Sequence, residues 1–150
     1  MKNNVVPVQI RGVWPNQSGC ALFVGNDEKV FIINVDPWMG KTISDFIAKR
    51  PSERPLTHHL ILSMFKGFGI NLERVVITEL KNQTFFARLI LQQANELGRK
   101  LVEVDARPSD CLALAVAQKC PIYVAQTLFD SMEDMSEHLQ RINEQSGEGE

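Results

Sequence analysis

The segment VDARPSDCLALA, residues 104–115, gathers Asp105, Arg107, Ser109 and Asp110 around Pro108. Carboxylates can take a proton or hold a divalent cation, and a guanidinium can neutralise a phosphate. Glu103 extends the group, because alternate residues of a strand share a face; it sits roughly 6–7 Å from Asp105 along the strand. Pro108 fits the first turn of a helix, where its missing N–H is no loss. The same residues have a structural use. Ser109 or Asp110 can satisfy open helix N–H groups, and Arg107 can pair with Asp105. The spacing by itself matches no metal-ligand motif.

His58 and His59, in RPLTHHL, supply the other group able to move a proton near neutral pH. On a helical wheel His59 falls opposite the apolar stripe and is expected in solvent. His58 falls at the border of the stripe, where a residue can face a cleft and still be held rigidly. A half-buried packing histidine fits that position as well. Ser44 and Asp45 have no histidine at triad spacing, and GFG at Gly67–Gly69 lacks the Lys-Ser/Thr of a phosphate loop.

These residues need a scaffold. VVPVQIRGVW, CALFV and KVFIINV read as three strands with turns between them. DPWMGKTISDFIAKR, with a proline near its start and apolar Trp38, Ile43, Phe46 and Ile47, predicts a helix over residues 38–49, weakened by Gly40. Leu60, Ile61, Met64, Phe65 and Phe68 form a helical stripe that starts near Thr57 and stops at Gly69. LERVVITEL, TFFARLILQ and RKLVEVDA then predict an antiparallel meander with a hairpin turn at KNQ. The run from Cys111 to Ala117 carries no charge, so the helix over residues 108–118 should be the most buried. PIYVA is a short strand. Met132, Met135, Leu139 and Ile142 define an amphipathic helix over residues 131–145, followed by a disordered acidic tail at residues 146–150. The expected class is therefore α+β: one domain, a mixed and largely antiparallel sheet, and several packed helices.

The bulk numbers fit one soluble domain of 150 residues, with 44% hydrophobic and 23% charged residues. No apolar run approaches a bilayer's thickness, and the N-terminus lacks the apolar core of a signal peptide. Cys20, Cys111 and Cys120 have no metal-ligand spacing, and their odd number points to reduced thiols and a cytoplasmic location. Net charge is −2, but residues 130–150 hold seven acidic residues and one arginine, which leaves the first 129 at +4. A mildly basic body tolerates a polyanion, although charge alone favours simple surface solvation.

RPLTHHLILSMFKGFG, ERVVITELKNQTFFARLIL and VEVDARPSDCLALAVAQKCPIYVA together resemble the bifunctional nuclease family, over residues 5–130. The resemblance implies a mixed α+β fold, cleavage of both RNA and DNA, and a homodimer. It places RPLTH on Arg54–His58 and VDARPSD on Val104–Asp110. Two positions depart from the family pattern: His59 stands where Asp is usual, and Met39, in VDPWMG, stands where Glu is usual.

On that resemblance, His58, Asp105, Arg107 and Asp110 are the expected catalytic residues. Arg54, Arg107 and Ser109 would bind substrate, and Glu103, Asp105 and Asp110 would hold a divalent ion, Mg²⁺ or Mn²⁺. DNA has no 2′-OH, so water would be the nucleophile. The competing readings are a non-catalytic module that binds nucleic acid or an anionic ligand in a regulatory role, and a partner protein that docks through its acidic C-terminal helix.

Overall fold

The computed structural model describes residues 4–148. Strands β1 (Val5–Asn16), β2 (Gly19–Gly25) and β3 (Val30–Val35) form where β-branched and aromatic residues crowd between turns. Helices α1 (Pro37–Ile47) and α2 (Thr57–Gly67) follow. The meander is β4 (Ile70–Lys81), β5 (Thr84–Asn95) and β6 (Gly98–Ala106). The chain ends with α3 (Pro108–Gln118), β7 (Ile122–Ala125), α4 (Gln126–Ser131) and α5 (Ser136–Glu148). The class is the expected one, a single α+β domain.

The seven strands form one sheet in the order β3-β2-β1-β7-β4-β5-β6. The last strand in sequence lies in the middle. β7 pairs antiparallel with β1 through Val6↔Val124 and parallel with β4 through Val76↔Tyr123, and so joins two antiparallel meanders. Asn82 and Gln83 both have positive φ, 52° and 64°, the signature of a two-residue hairpin turn whose twist matches the strands. The sheet curls far enough that Phe31 of β3 meets Phe85 of β5, ring centroids 6.1 Å apart.

Helix α3 fills the hollow of this curl. Cys111, Leu112, Ala113, Leu114 and Ala115 are all buried, against Val75, Ile77, Ala87 and Leu89 of the sheet. No other helix is buried so completely, as its uncharged run requires. Burial pushes the Cys111 thiol up to about 12 and that of Cys120 up to about 11, so both stay protonated packing groups. Gly40 has a steric role in α1: a Cβ there would lie 2.6 Å from the Cys20 sulfur, so its absence lets α1 press against β2.

Several expectations change. Helix α1 starts at Pro37 and ends at Ile47, against the expected 38–49, and its apolar Trp38 is 79% exposed. In α2 the packing on the core is done by Ile61 and Leu62, while Leu60, Met64 and Phe68 remain exposed. The stripe drawn from hydrophobicity alone was rotated towards solvent. Leu56, not Thr57, is the N-cap of α2.

The C-terminal helix expected over residues 131–145 is interrupted. Oδ1 of Asp134 accepts the N–H of Val30 at 3.1 Å and that of Ser136 at 3.0 Å, so the chain is tied to β3 before α5 begins. Leu139 of α5 packs on Phe23 and Val30, while Leu22 and Val24 join the main core. Because side chains alternate along β2, α5 covers the sheet face opposite α3. Helix α5 continues to Glu148, past the expected start of the tail at residue 146. Residues 149 and 150 lie outside the described residues.

Candidate functional site

The first turns of three helices converge. Pro37 and Pro108 open α1 and α3 directly after strands β3 and β6, each with its fixed φ suited to the position. Their partner is the first turn of α2, which carries His58. Nε2 of His58 lies 2.9 Å from Oδ1 of Asp110 in α3. The histidine is buried at 8% exposure and rests on the edge of the Phe46 ring. Trp38 and Met39 of α1 line the same cleft as His58, and the charge of Asp36, the N-cap of α1, is felt by Arg107. Three helix N-termini therefore lie near one another, which favours an anion there.

Asp110 is the hub. Its Oδ1 accepts both His58 Nε2 and, at 3.3 Å, Arg107 Nη2, while its Oδ2 accepts Arg107 Nε at 2.8 Å. Burial pushes its carboxyl upward, but the hydrogen bonds and charges of Arg107 and His58 outweigh burial and hold it below the ordinary range. An ionised carboxylate only accepts, so His58 Nε2 must donate. The lone pair of a neutral His58 is then on Nδ1. Arg107 is 68% exposed along its side chain, so its outer N–H groups reach solvent.

His59 is not simply solvated. Its Nδ1 accepts the N–H of Leu56 at 3.0 Å and its ring meets Phe46 at 4.9 Å, so it caps α2 and steadies its neighbour. Ser109 is half-buried in the first turn of α3. Arg54 is exposed in the loop before α2 and does not line the cleft.

Asp105 and Glu103 are elsewhere. Asp105 is exposed and in register with Arg88 of β5, and Glu103 pairs with Arg88 at 2.9 Å. Arg88 points away from the core residues Ala87 and Leu89, so both carboxylates face the sheet side opposite α3. Among the described residues no three His, Cys, Asp or Glu side chains converge on a point that could hold a metal ion. Glu103, Asp105 and Asp110 thus do not form the Mg²⁺ or Mn²⁺ site expected of them. The strand ends at Ala106, and the turn into α3 carries residues 107–110 round to the other side. Of the expected group His58, Asp105, Arg107 and Asp110, the structure brings His58, Arg107 and Asp110 together and leaves Asp105 out.

Residues 22–137 match the family model of the bifunctional nuclease domain. The chain belongs to the bifunctional nuclease domain family. It is also 35% identical over 95 residues to the uncharacterized proteins MT1877 and Rv1829 of Mycobacterium tuberculosis, strains CDC 1551 and H37Rv. The match covers 61% of this chain and 54% of each relative, so the chain spans about half the length of the curated relatives it matches. The family model is described as a nuclease domain, and both of these relatives are uncharacterized. No helix among the described residues is long and apolar enough to cross a membrane.

Met39, at the family's usual Glu position, is 7% exposed and joins the main core. Sequence reasoning missed Asp36 and Trp38 as neighbours of the site. The available signal was a second strand-to-helix turn with proline at its start, VDPW, parallel to DARPSD.

Proposed function

We propose that this domain hydrolyses phosphodiester bonds of RNA and DNA. The single observation that carries the proposal is the buried His58 hydrogen-bonded to Asp110 at 2.9 Å. Water attacks phosphorus, and Nδ1 of His58 takes its proton while Asp110 stabilises the imidazolium that forms. The P–O bond to the departing sugar oxygen breaks, and that oxygen takes a proton from solvent. Arg107 and the helix N-termini neutralise the phosphate, Ser109 serves binding rather than chemistry, and Arg54, outside the cleft, meets a more distant part of the substrate. Since Glu103, Asp105 and Asp110 lie apart, no step is assigned to a divalent ion held by them.

In the same reading the domain is cytoplasmic, in keeping with its free cysteines, and works as a homodimer. The dimer is supported by edge strand β6, whose Leu101, Val102 and Val104 are all partly exposed. A second reading, nucleic-acid binding without cleavage, is favoured by Met39 at the usual Glu position.

The test is cleavage of end-labelled RNA and DNA by the wild type, by His58→Ala and by Asp110→Asn, with and without a chelator. Cleavage by the wild type that both variants lose supports the reading. Cleavage of equal rate in all three identifies a contaminant and sinks it. Binding with no cleavage favours the second reading. Activity lost on chelation without unfolding would call for an ion bound outside the three carboxylates.

A further inference from the structure

Trp38 has no role in holding the fold together. It is 79% exposed, while Met39 and Ile43 supply the core contacts of α1. A large ring left in water on a first helical turn is free to meet a ligand. Its surroundings say what. Trp38 lines a cleft of about 740 Å³ with His58, Lys41, Pro55, Leu56 and Thr57. That volume lies in the range of small-molecule sites, about 300–1,000 Å³. Pro55 and Leu56 bring an apolar wall from the loop before α2, and Lys41 brings a cation that Asp45 holds at 2.8 Å. An aromatic face, an apolar wall, a cation and an anion-favouring group of helix N-termini make a stacking platform beside a phosphate position.

We infer that Trp38 stacks on an unpaired nucleobase and so makes single-stranded nucleic acid the substrate class of this cleft. Bases inside a duplex have both faces covered by their neighbours, so an aromatic platform reaches only bases that are splayed out. Stacking uses the π-face that all bases share, so the selection is by strandedness and not by sequence. A base on Trp38 delivers its flanking phosphate into the cleft that His58 lines. The inference rests on the reading of this cleft as a nucleic-acid site, but not on cleavage.

The test uses the full chain, short fluorescent oligo(dT) and a blunt duplex of equal length, with affinity read by anisotropy at low salt. Trp38→Ala should weaken oligo(dT) binding by about tenfold. Trp38→Phe should keep most of it. Duplex affinity and melting temperature should not move in either variant. On a cleavable single strand, Trp38→Ala should raise KM more than it lowers kcat. Equal losses on single strand and duplex, unchanged oligo(dT) affinity, or a wild type that binds no single strand would each overturn the inference. A change in sedimentation of Trp38→Ala would overturn it too, by showing that a second copy covers the ring. Trp38-dependent oligo(dT) binding without cleavage would sink the nuclease reading alone. Cleavage with a KM that ignores Trp38 would sink the stacking alone.

Discussion

Nε2 of His58 and Oδ1 of Asp110 lie 2.9 Å apart although 52 residues separate them in the chain. The whole β4–β5–β6 meander runs between them. It leaves α2 at one end and returns into α3 at the other, so two helix starts meet over the core. The bond also fixes the histidine's tautomer, because an ionised carboxylate can only accept.

Asp110→Asn should therefore remove the base. The amide cannot stabilise an imidazolium, and it can offer its own N–H to Nε2 in place of accepting one. Phosphodiester cleavage should fall by about 10²–10⁴, the usual worth of a positioned base. Melting temperature should shift little, since the amide keeps the volume and one acceptor for Arg107. Rates and thermal melts on the same preparation check this. A rate that falls only in proportion to unfolded protein would make the cluster structural.

The same carboxylate predicts an acid dependence of stability. The folded Asp110 is held below its ordinary range, so its folded pKa lies under its unfolded pKa of about 4. The stability it contributes is fully present above that unfolded value and is lost as pH falls through the folded one. The stability gap between wild type and Asp110→Asn, small at neutral pH, should hold down to about pH 5 and then close in acid. Urea unfolding across that window measures it, and a gap that widens in acid would contradict it.

Much of the scaffold was legible because local rules acted alone. Pro108 at a helix start and the uncharged run after it gave α3 its boundaries and its burial. The turn at Asn82 and Gln83 gave the hairpin. The errors came where tertiary partners decide. Asp134 bonds Val30, far away in sequence, and breaks a helix whose stripe looked continuous. Trp38 could not be told from the apolar residues that bury, because periodicity cannot say which helix face meets the sheet. Asp105 looked like a neighbour of Asp110 because sequence distance ignores the turn at Ala106, which puts them on different sides of the sheet.

Leu114→Asp tests the burial of α3. Leu114 is 2% exposed and sits among apolar neighbours, so an aspartate there has no partner for its charge. The cost should be several kcal/mol, enough to unfold a marginal domain. Leu112→Ala, which only opens a cavity, should cost about 2–5 kcal/mol and leave the domain folded. Denaturant unfolding of both variants checks the order, and a stable Leu114→Asp would mean that α3 is not the core helix.

The homodimer prediction can be made residue by residue, because β6 is an edge strand with no partner on one side. Two copies of β6 pairing antiparallel about Val102 would set Val102 opposite Val102 and Arg99 opposite Asp105, twice by symmetry. Opposite charges would face each other across the strands, and the exposed Val102 and Val104 would be covered. Val102→Asp should then place two like charges together and leave a monomer in analytical ultracentrifugation. Arg99→Asp should also dissociate the dimer, by setting two carboxylates face to face. Adding Asp105→Arg to Arg99→Asp reverses both signs and should restore it. Restoration is the informative outcome, because general damage to β6 would not be repaired by a second substitution. A wild type that sediments as a monomer at every concentration removes the dimer from the proposal, and leaves the His58–Asp110 pair, which lies within one chain, untouched.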